Sequence, residues 1–257
     1  MTKLVILGSS NAIPTADHQN THFVLSGDAG SILVDCSGNT WVRIAQAGIE
    51  HENISDILLT HCHPDHISGI PPFLMNLWLS GRKKLLRIYG LKHTLTCVEK
   101  MMALYDWKEW PDFFPVSFNQ IPDQKMIPIL ENTDIRIFSS PVRHIIPTIG
   151  LRFESVKSGV VIAYSGDTEP CEEVVSLARD ADILIHEATG ASYGHSSAAQ
   201  AGEIAQAAGV RLLYFIHYPP NLYDSGRMIE EARSHFNGDI HFARDLLELS
   251  FLDPSPT

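Results

Sequence analysis

Asp56-Ile57-Leu58-Leu59-Thr60-His61-Cys62-His63-Pro64-Asp65-His66 decides the reading of this 257-residue chain. An apolar run, read as a strand over 57–60, is broken at Pro64 into a loop carrying three histidines and a carboxylate within six residues, His61 to His66. Imidazole nitrogen and carboxylate oxygen are donors that suit zinc, and a loop after a strand turns alternate side chains inward without bending a ladder. One ion rarely takes four ligands from so tight a loop, so two ions sharing the string fit it better. Strand alternation points Cys62 away from the ions.

Working outward, apolar runs rich in Val and Ile predict further strands at 4–7, 23–25, 32–35, 86–89, 135–138, 160–164, 183–185 and 212–216. Helical patterns punctuated by Gly or Asn predict helices at 40–47, 94–104, 172–178, 197–208 and 227–236. Strands and helices interleave, which is the α/β fold class. In open α/β sheets ligands gather beyond the carboxyl ends of strands. His144 follows one predicted strand, Asp167 another, His186 and Glu187 a third and His217 a fourth. That shared placement makes His144, Asp167 and His217 candidate ligands beside the His61–His66 string.

The composition, 44% hydrophobic with 17 Gly and 15 Pro, excludes disorder and fibres and predicts one domain over 1–257. Nineteen basic against 30 acidic residues give a formal charge of −11, so nothing draws the whole molecule to nucleic acid or an anionic membrane. The N-terminal apolar run is too short for a signal peptide and no stretch reaches a membrane span, which predicts a cytoplasmic protein without membrane contact. Four cysteines without a C-x-x-C pair read as free thiols. The only tail-like segment is 253–257.

Two segments read first as structure and second as substrate contacts. The basic stretch 82–87, with Arg82, Lys83, Lys84 and Arg87, reads as a solvated turn. The aromatic stretch 107–114, with Trp107, Trp110, Phe113 and Phe114, reads as a loop covering the core, and as a base-stacking or lid element in the alternative. His18, His22, His51, His93, His235 and His241 sit in no motif and read as structural or solvent residues. Ser196 and Ser197 ahead of the helix at 198 read as its N-cap.

The H-x-H-x-D-H pattern of His61, His63, Asp65 and His66 resembles the signature of the metallo-β-lactamase superfamily. Ser165-Gly166-Asp167-Thr168, His186-Glu187-Ala188-Thr189, Gly194-His195-Ser196-Ser197 and Gly81-Arg82-Lys83-Lys84…Ile88-Tyr89-Gly90 are similar to its ribonuclease Z branch. The resemblance implies an αββα sandwich with a two-metal cleft at one edge, and a homodimer. It implies that His61, His63 and His144 hold one metal, that Asp65, His66 and His217 hold the other, and that Asp167 bridges them. Two zinc ions are implied, with manganese and iron also suited to such donors. A hydroxide shared by two cations would be the nucleophile, oriented by Asp65. His195 would protonate the leaving alkoxide, with Glu187 steadying its ring and raising its pKa.

The chain also departs from that branch. Its first loop, Pro14-Thr15-Ala16-Asp17-His18-Gln19-Asn20, has no Lys or Arg where relatives meet tRNA. The string Ser37-Gly38-Asn39-Thr40 lacks the acidic residue usual there, and Tyr218-Pro219-Pro220 replaces a polar stretch. Many relatives carry a tRNA-gripping arm between the third metal histidine and the bridging Asp, whereas 22 residues separate His144 from Asp167, room for a hairpin only. The leading expectation is therefore a dinuclear-zinc phosphodiesterase for a small phosphodiester. The alternatives are a tRNA 3′-end endonuclease with RNA as substrate, a lactone, thioester or sulfate-ester hydrolase, or a metal-binding sensor.

Overall fold

Strand β1 (Lys3–Gly8) is apolar on both faces: Leu4 and Ile6 enter one buried cluster, Val5 and Leu7 another. Such a strand is covered from both sides. In the computed structural model, which describes residues 2–252, that covering is an opposed sheet on one face and helices on the other. The tail at 253–257 lies outside the described residues.

Chain order then gives β2 (His22–Gly27), β3 (Gly30–Val34), β4 (Ile54–Leu58), β5 (Leu86–Leu91) and β6 (Val116–Ile121) in the first sheet. The second holds β7 (Ile127–Glu131), β8 (Ile135–Val142), β9 (Thr148–Ser155), β10 (Val161–Tyr164), β11 (Ile183–Glu187), β12 (Leu212–Ile216) and β13 (Asp239–Phe242), before β14 (Glu248–Ser250) returns to pair with β1. The sheet orders are β14-β1-β2-β3-β4-β5-β6 and β13-β12-β11-β10-β9-β8-β7. Helices α1 (Thr40–Gln46), α2 (Pro64–Ile67), α3 (Ile70–Leu79) and α4 (Lys92–Ala103) belong to the first half; α5 (Glu172–Ala178), α6 (Ala198–Ala208) and α7 (Ser225–Arg233) belong to the second.

Three apolar clusters hold the layers together. Phe23, Val34, Leu151, Phe153 and Tyr164 fill the space between the sheets. Ile44, Phe73, Leu77 and Met102 seal the helices on the first sheet, and Val174, Ala201, Ala205 and Phe215 seal those on the second. The result is the αββα sandwich expected from the sequence.

Polarity places the chemistry. Strands β3 to β6 are mutually parallel, as are β10 to β13, and β8 runs with β10 because both pair antiparallel with β9. The carboxyl ends of β8, β10, β11 and β12 therefore lie at one edge. There the sheets are tied together by Ile149 N donating to Thr60 O (3.2 Å) and His217 N to Ser9 O (2.9 Å).

Some elements differ from the sequence expectation. The strand read over 57–60 is β4, which ends at Leu58, and Pro64 does not simply break it but starts the one-turn helix α2, so Asp65 and His66 are helical. Proline fits there because the first helical N–H has no partner to lose. Helix α3, with Pro71 and Pro72 in its first turn, was not expected, nor were β6, β7, β9, β13 and β14. Between His144 and Asp167 lie only β9 and β10, the expected hairpin without an arm. Among the described residues no helix is long and apolar enough to cross a membrane.

Candidate metal centre

The seven ligand candidates read from the sequence converge at the shared edge. His63 Nδ1 lies 3.1 Å from His61 Nε2 and 3.2 Å from His144 Nε2, a three-nitrogen group. His66 Nε2 and His217 Nε2 stand 3.6 and 3.4 Å from Asp65 Oδ2, a second group. One atom, Asp167 Oδ2, reaches both: it is 3.8 Å from His61 Nε2, 3.4 Å from His66 Nε2 and 3.3 Å from His217 Nε2.

The surroundings aim each ring. His66 Nδ1–H donates to Asp35 Oδ2 (2.7 Å), His144 Nδ1–H to the carbonyl of Gly194 (2.6 Å) and His217 Nδ1–H to Thr189 Oγ1 (2.9 Å), while Thr189 Oγ1 donates to the His217 carbonyl (2.7 Å). His61 Nδ1–H donates to Thr60 Oγ1 (3.1 Å), which donates onward to Asp35 Oδ2 (2.8 Å). With Nδ1 occupied as donor, the Nε2 lone pairs of His61, His66, His144 and His217 face the cluster, the tautomer a metal needs, while His63 faces it through Nδ1.

Backbone conformation supports the same arrangement. Asp35 (φ 58°) and His217 (φ 53°) are held in the left-handed region, at about 1–2 kcal/mol each. Gly194 (φ 83°) brings its carbonyl to His144, and a Cβ there would sit 2.9 Å from His144 Nδ1. Gly166 (φ 62°) turns the chain from β10 into Asp167, where a Cβ would meet the Ile149 carbonyl at 2.6 Å.

The donor set fits divalent cations. His66 Nε2 and Asp167 Oδ1 are buried without a hydrogen-bond partner, and both belong to the cluster. An unpartnered buried polar atom is costly unless something binds it. Burial would raise the pKa of Asp167, but the His217, His66 and His61 imidazoles hold its carboxyl well below the usual range, so it is an anion at neutral pH. Burial pushes the His61 imidazole well below its ordinary value, with the charge of His66 adding to this, so its Nε2 is available as a ligand.

Beside this cluster, His195 Nδ1–H donates to Glu187 Oε1 (2.9 Å), and the His195 ring lies 5.0 Å from that of His144 and 5.7 Å from that of His217. Glu187 is fully buried and also accepts from the backbone N–H groups of Thr168, Ser196 and Thr189. Burial lowers the pKa of His195, but the hydrogen bond and charge of Glu187 outweigh it and the net shift is upward. Ser197 caps α6 in a capping box with Gln200, so the N-cap reading holds at Ser197, while Ser196 Oγ donates to the Thr168 carbonyl (2.6 Å). An open pocket of about 370 Å³ adjoins His195, lined by Arg143, Glu169, Tyr193 and Gln200.

Other expectations are corrected in part. In the 82–87 stretch Lys83 and Lys84 are exposed, as in a solvated turn, but Arg82 is 2% exposed and donates to the carbonyls of Ile54, Lys84 and Leu85, and Arg87 is paired with Asp56 at 2.5 Å. The 107–114 stretch packs on the core as a cover: Trp110 stacks on Trp78 at 5.0 Å, Trp107 meets Phe113 edge-on, and Phe114 is buried. Tyr218 turns away from the ligands, its hydroxyl donating to the Ala243 carbonyl. His186 is buried, with Nδ1 on the Glu187 carbonyl. His93, read as a structural or solvent residue, is exposed and meets Cys62.

Asp35, Thr189 and Arg143 were missed. Asp35 alone had a usable signal, since it closes an apolar run at the same position, after a strand, that marks Asp167 and His217. Thr189 and Arg143 carry no spacing that separates them from ordinary loop residues.

A double-sheet sandwich with His, Asp and Glu gathered at one edge defines a metal-dependent hydrolase. The chain belongs to the Beta-lactamase superfamily domain family, which matches residues 31–218. It is similar to the ribonuclease Z of Methanothermobacter thermautotrophicus, 28% identical across all of this chain and 99% of that one. That alignment runs over 317 positions, so about 60 of them have no counterpart in these 257 residues. Among solved structures the fold is similar to the metallo-beta-lactamase fold protein YhfI of Bacillus subtilis (TM-score 0.80, 21% identity, 97% of this chain and 100% of that one). It is also similar to a diphosphatase from the PhnP family (TM-score 0.73, 20% identity, 98% of each).

Proposed function

We propose that this single-domain chain is a phosphodiesterase that hydrolyses a small phosphodiester with two divalent ions, zinc foremost, and that it works as a homodimer in the cytoplasm. The observation that carries the reading is the seven-donor cluster set beside the Glu187–His195 pair and a small pocket holding Arg143. His61, His63 and His144 would hold one ion, Asp65, His66 and His217 the other, with Asp167 shared. Such ions supply a water nucleophile at neutral pH and polarise the phosphoryl oxygens.

The chain's own groups do the rest. Asp65, at the open side of the cluster, accepts a proton from the attacking water and orients it. His195 uses Nδ1 to hold Glu187, so its transferable proton is on Nε2, and the raised pKa keeps that proton near neutral pH for the leaving oxygen. Arg143 lines the pocket next to His195, where its guanidinium meets a non-bridging phosphate oxygen. Tyr193, 77% exposed on the same pocket, offers a face to a base.

Small size follows from what surrounds the cleft. The arm position holds a hairpin, the first loop offers Asp17 and no Lys or Arg, Arg82 is buried on backbone carbonyls and Arg87 is paired with Asp56. A tRNA needs several phosphate anchors, and a net charge of −11 opposes its approach. The full-length likeness to a ribonuclease Z favours a second reading, cleavage of precursor tRNA at its 3′ end. Rates on bis-(p-nitrophenyl) phosphate and on a precursor tRNA, measured side by side with metal-loaded protein, decide between them. Turnover of the diester, with tRNA cut no faster than random single-stranded RNA, is the expected result. Efficient, site-specific tRNA cleavage would overturn the small-substrate reading, and no turnover of either substrate at full metal occupancy would overturn both.

A further inference from the structure

Cys62 stands between two ligand candidates, His61 and His63, yet its side chain takes the opposite direction. Its Sγ lies 3.1 Å from Cys97 Sγ and 3.3 Å from His93 Nδ1. His93 and Cys97 are four residues apart in α4, which puts both on one helix face. All three donor atoms lie within 4.8 Å of one another. The other two cysteines, Cys36 and Cys171, are buried elsewhere.

We propose that Cys62, His93 and Cys97 form a separate binding site for one thiophilic divalent cation of the zinc type. Two thiolates and an imidazole are a donor set that zinc prefers over harder cations. Zinc–sulfur bonds of about 2.3 Å and a zinc–nitrogen bond of about 2.0 Å at tetrahedral angles set the sulfurs about 3.8 Å apart and sulfur to nitrogen about 3.6 Å. The observed 3.1 and 3.3 Å reach those values by small side-chain rotations. A disulfide would instead need the sulfurs at about 2.05 Å and would leave the imidazole on Cys62 without a purpose.

Binding releases one proton from each thiol, so the two thiolates neutralise the cation. Cys62 and Cys97 are half-buried against the outer core and His93 is exposed, which leaves the fourth position to water. The ion ties the loop that follows β4, with His61 and His63 on it, to the first turns of α4. It thereby braces the backbone of two ligand residues without joining their cluster. This inference does not depend on which phosphodiester is hydrolysed.

The test uses the full chain, stripped with a chelator under reducing conditions and reloaded with cobalt(II). Only the cysteine site gives a near-ultraviolet thiolate-to-cobalt charge-transfer band, because the other cluster is built from nitrogen and oxygen. Expected are that band in the wild-type protein, its loss in Cys97→Ser, and one fewer tightly bound metal per chain in that variant. His93→Ala, at an exposed position, keeps the band and weakens cobalt binding by more than about tenfold. Absence of the band in wild-type protein, or metal content unchanged by Cys97→Ser, overturns the proposal. So does a thiol titration showing Cys62 and Cys97 joined as a disulfide in protein prepared without reductant.

Discussion

Asp35→Asn should weaken metal binding without unfolding the protein. Asp35 accepts from Thr60 N (2.8 Å), from Thr60 Oγ1 (2.8 and 3.1 Å) and from His66 Nδ1 (2.7 Å). An amide of the same shape has one acceptor and one donor end, so it cannot satisfy both neighbours. If its oxygen stays with Thr60, its NH2 faces His66 Nδ1, and the imidazole must move its proton to Nε2, the atom aimed at the cluster. If it turns over, the NH2 meets the Thr60 N–H and leaves that buried donor unpaired, at about 1–3 kcal/mol. Either way His66, and His61 through Thr60, lose their orientation. Losses of this kind reduce metal affinity by about 10–100-fold, or about 1.4–2.7 kcal/mol. Zinc affinity measured by chelator competition, with circular dichroism confirming the fold, gives the answer. Wild-type affinity in the folded variant would refute the role given to Asp35.

Three further outcomes follow from the same geometry. His195→Ala should lose about 10²–10⁴-fold in kcat on a diester with an alkoxide leaving group, and far less on a p-nitrophenyl ester whose leaving group needs no proton; equal losses on both would remove His195 as the acid. Because the His195 pKa is raised, chiefly by Glu187 acting against burial, the acid form persists to higher pH, and Glu187→Gln should move the alkaline fall of the rate profile to lower pH. An unmoved alkaline limb would separate the two residues. Arg82→Ala strips donors from three carbonyls, worth about 3 kcal/mol together, and should lower Tm by roughly 6–12 °C while leaving RNA affinity unchanged. A loss of RNA binding at constant Tm would make Arg82 a phosphate anchor after all.

The layered α/β architecture was legible because central strands such as 183–185 and 212–216 are buried on both faces and stand out as continuous apolar runs. The edge strands were not. β6, with the pattern Val-Ser-Phe-Asn-Gln-Ile, and β7, with a proline, are half-exposed and owe their pairing to neighbours rather than to their own composition. α3 hid behind its two prolines, which signal a break when read alone and a helix start when the preceding turn is known.

The candidate ligands were legible as a set because each follows a strand and four fall within six residues. Their supports were harder to see: Asp35 sits 31 residues from His66 in sequence, and only pairing of β3 with β4 brings them together. Charge misled at Arg82, whose neighbours in sequence are lysines but whose guanidinium is drawn inward by three carbonyls and the face of Phe114 at 5.5 Å. Spacing alone likewise could not pair Cys62 with a helix that starts 30 residues later.

Anomalous diffraction at the zinc edge from crystals of the zinc-loaded protein tests the dinuclear centre most directly. Expected are two peaks at the strand-end cluster, one among His61, His63 and His144 and the other among Asp65, His66 and His217, with Asp167 bound to both. A single peak there in crystals of fully active protein, or zinc held without Asp167, would contradict the two-ion assignment.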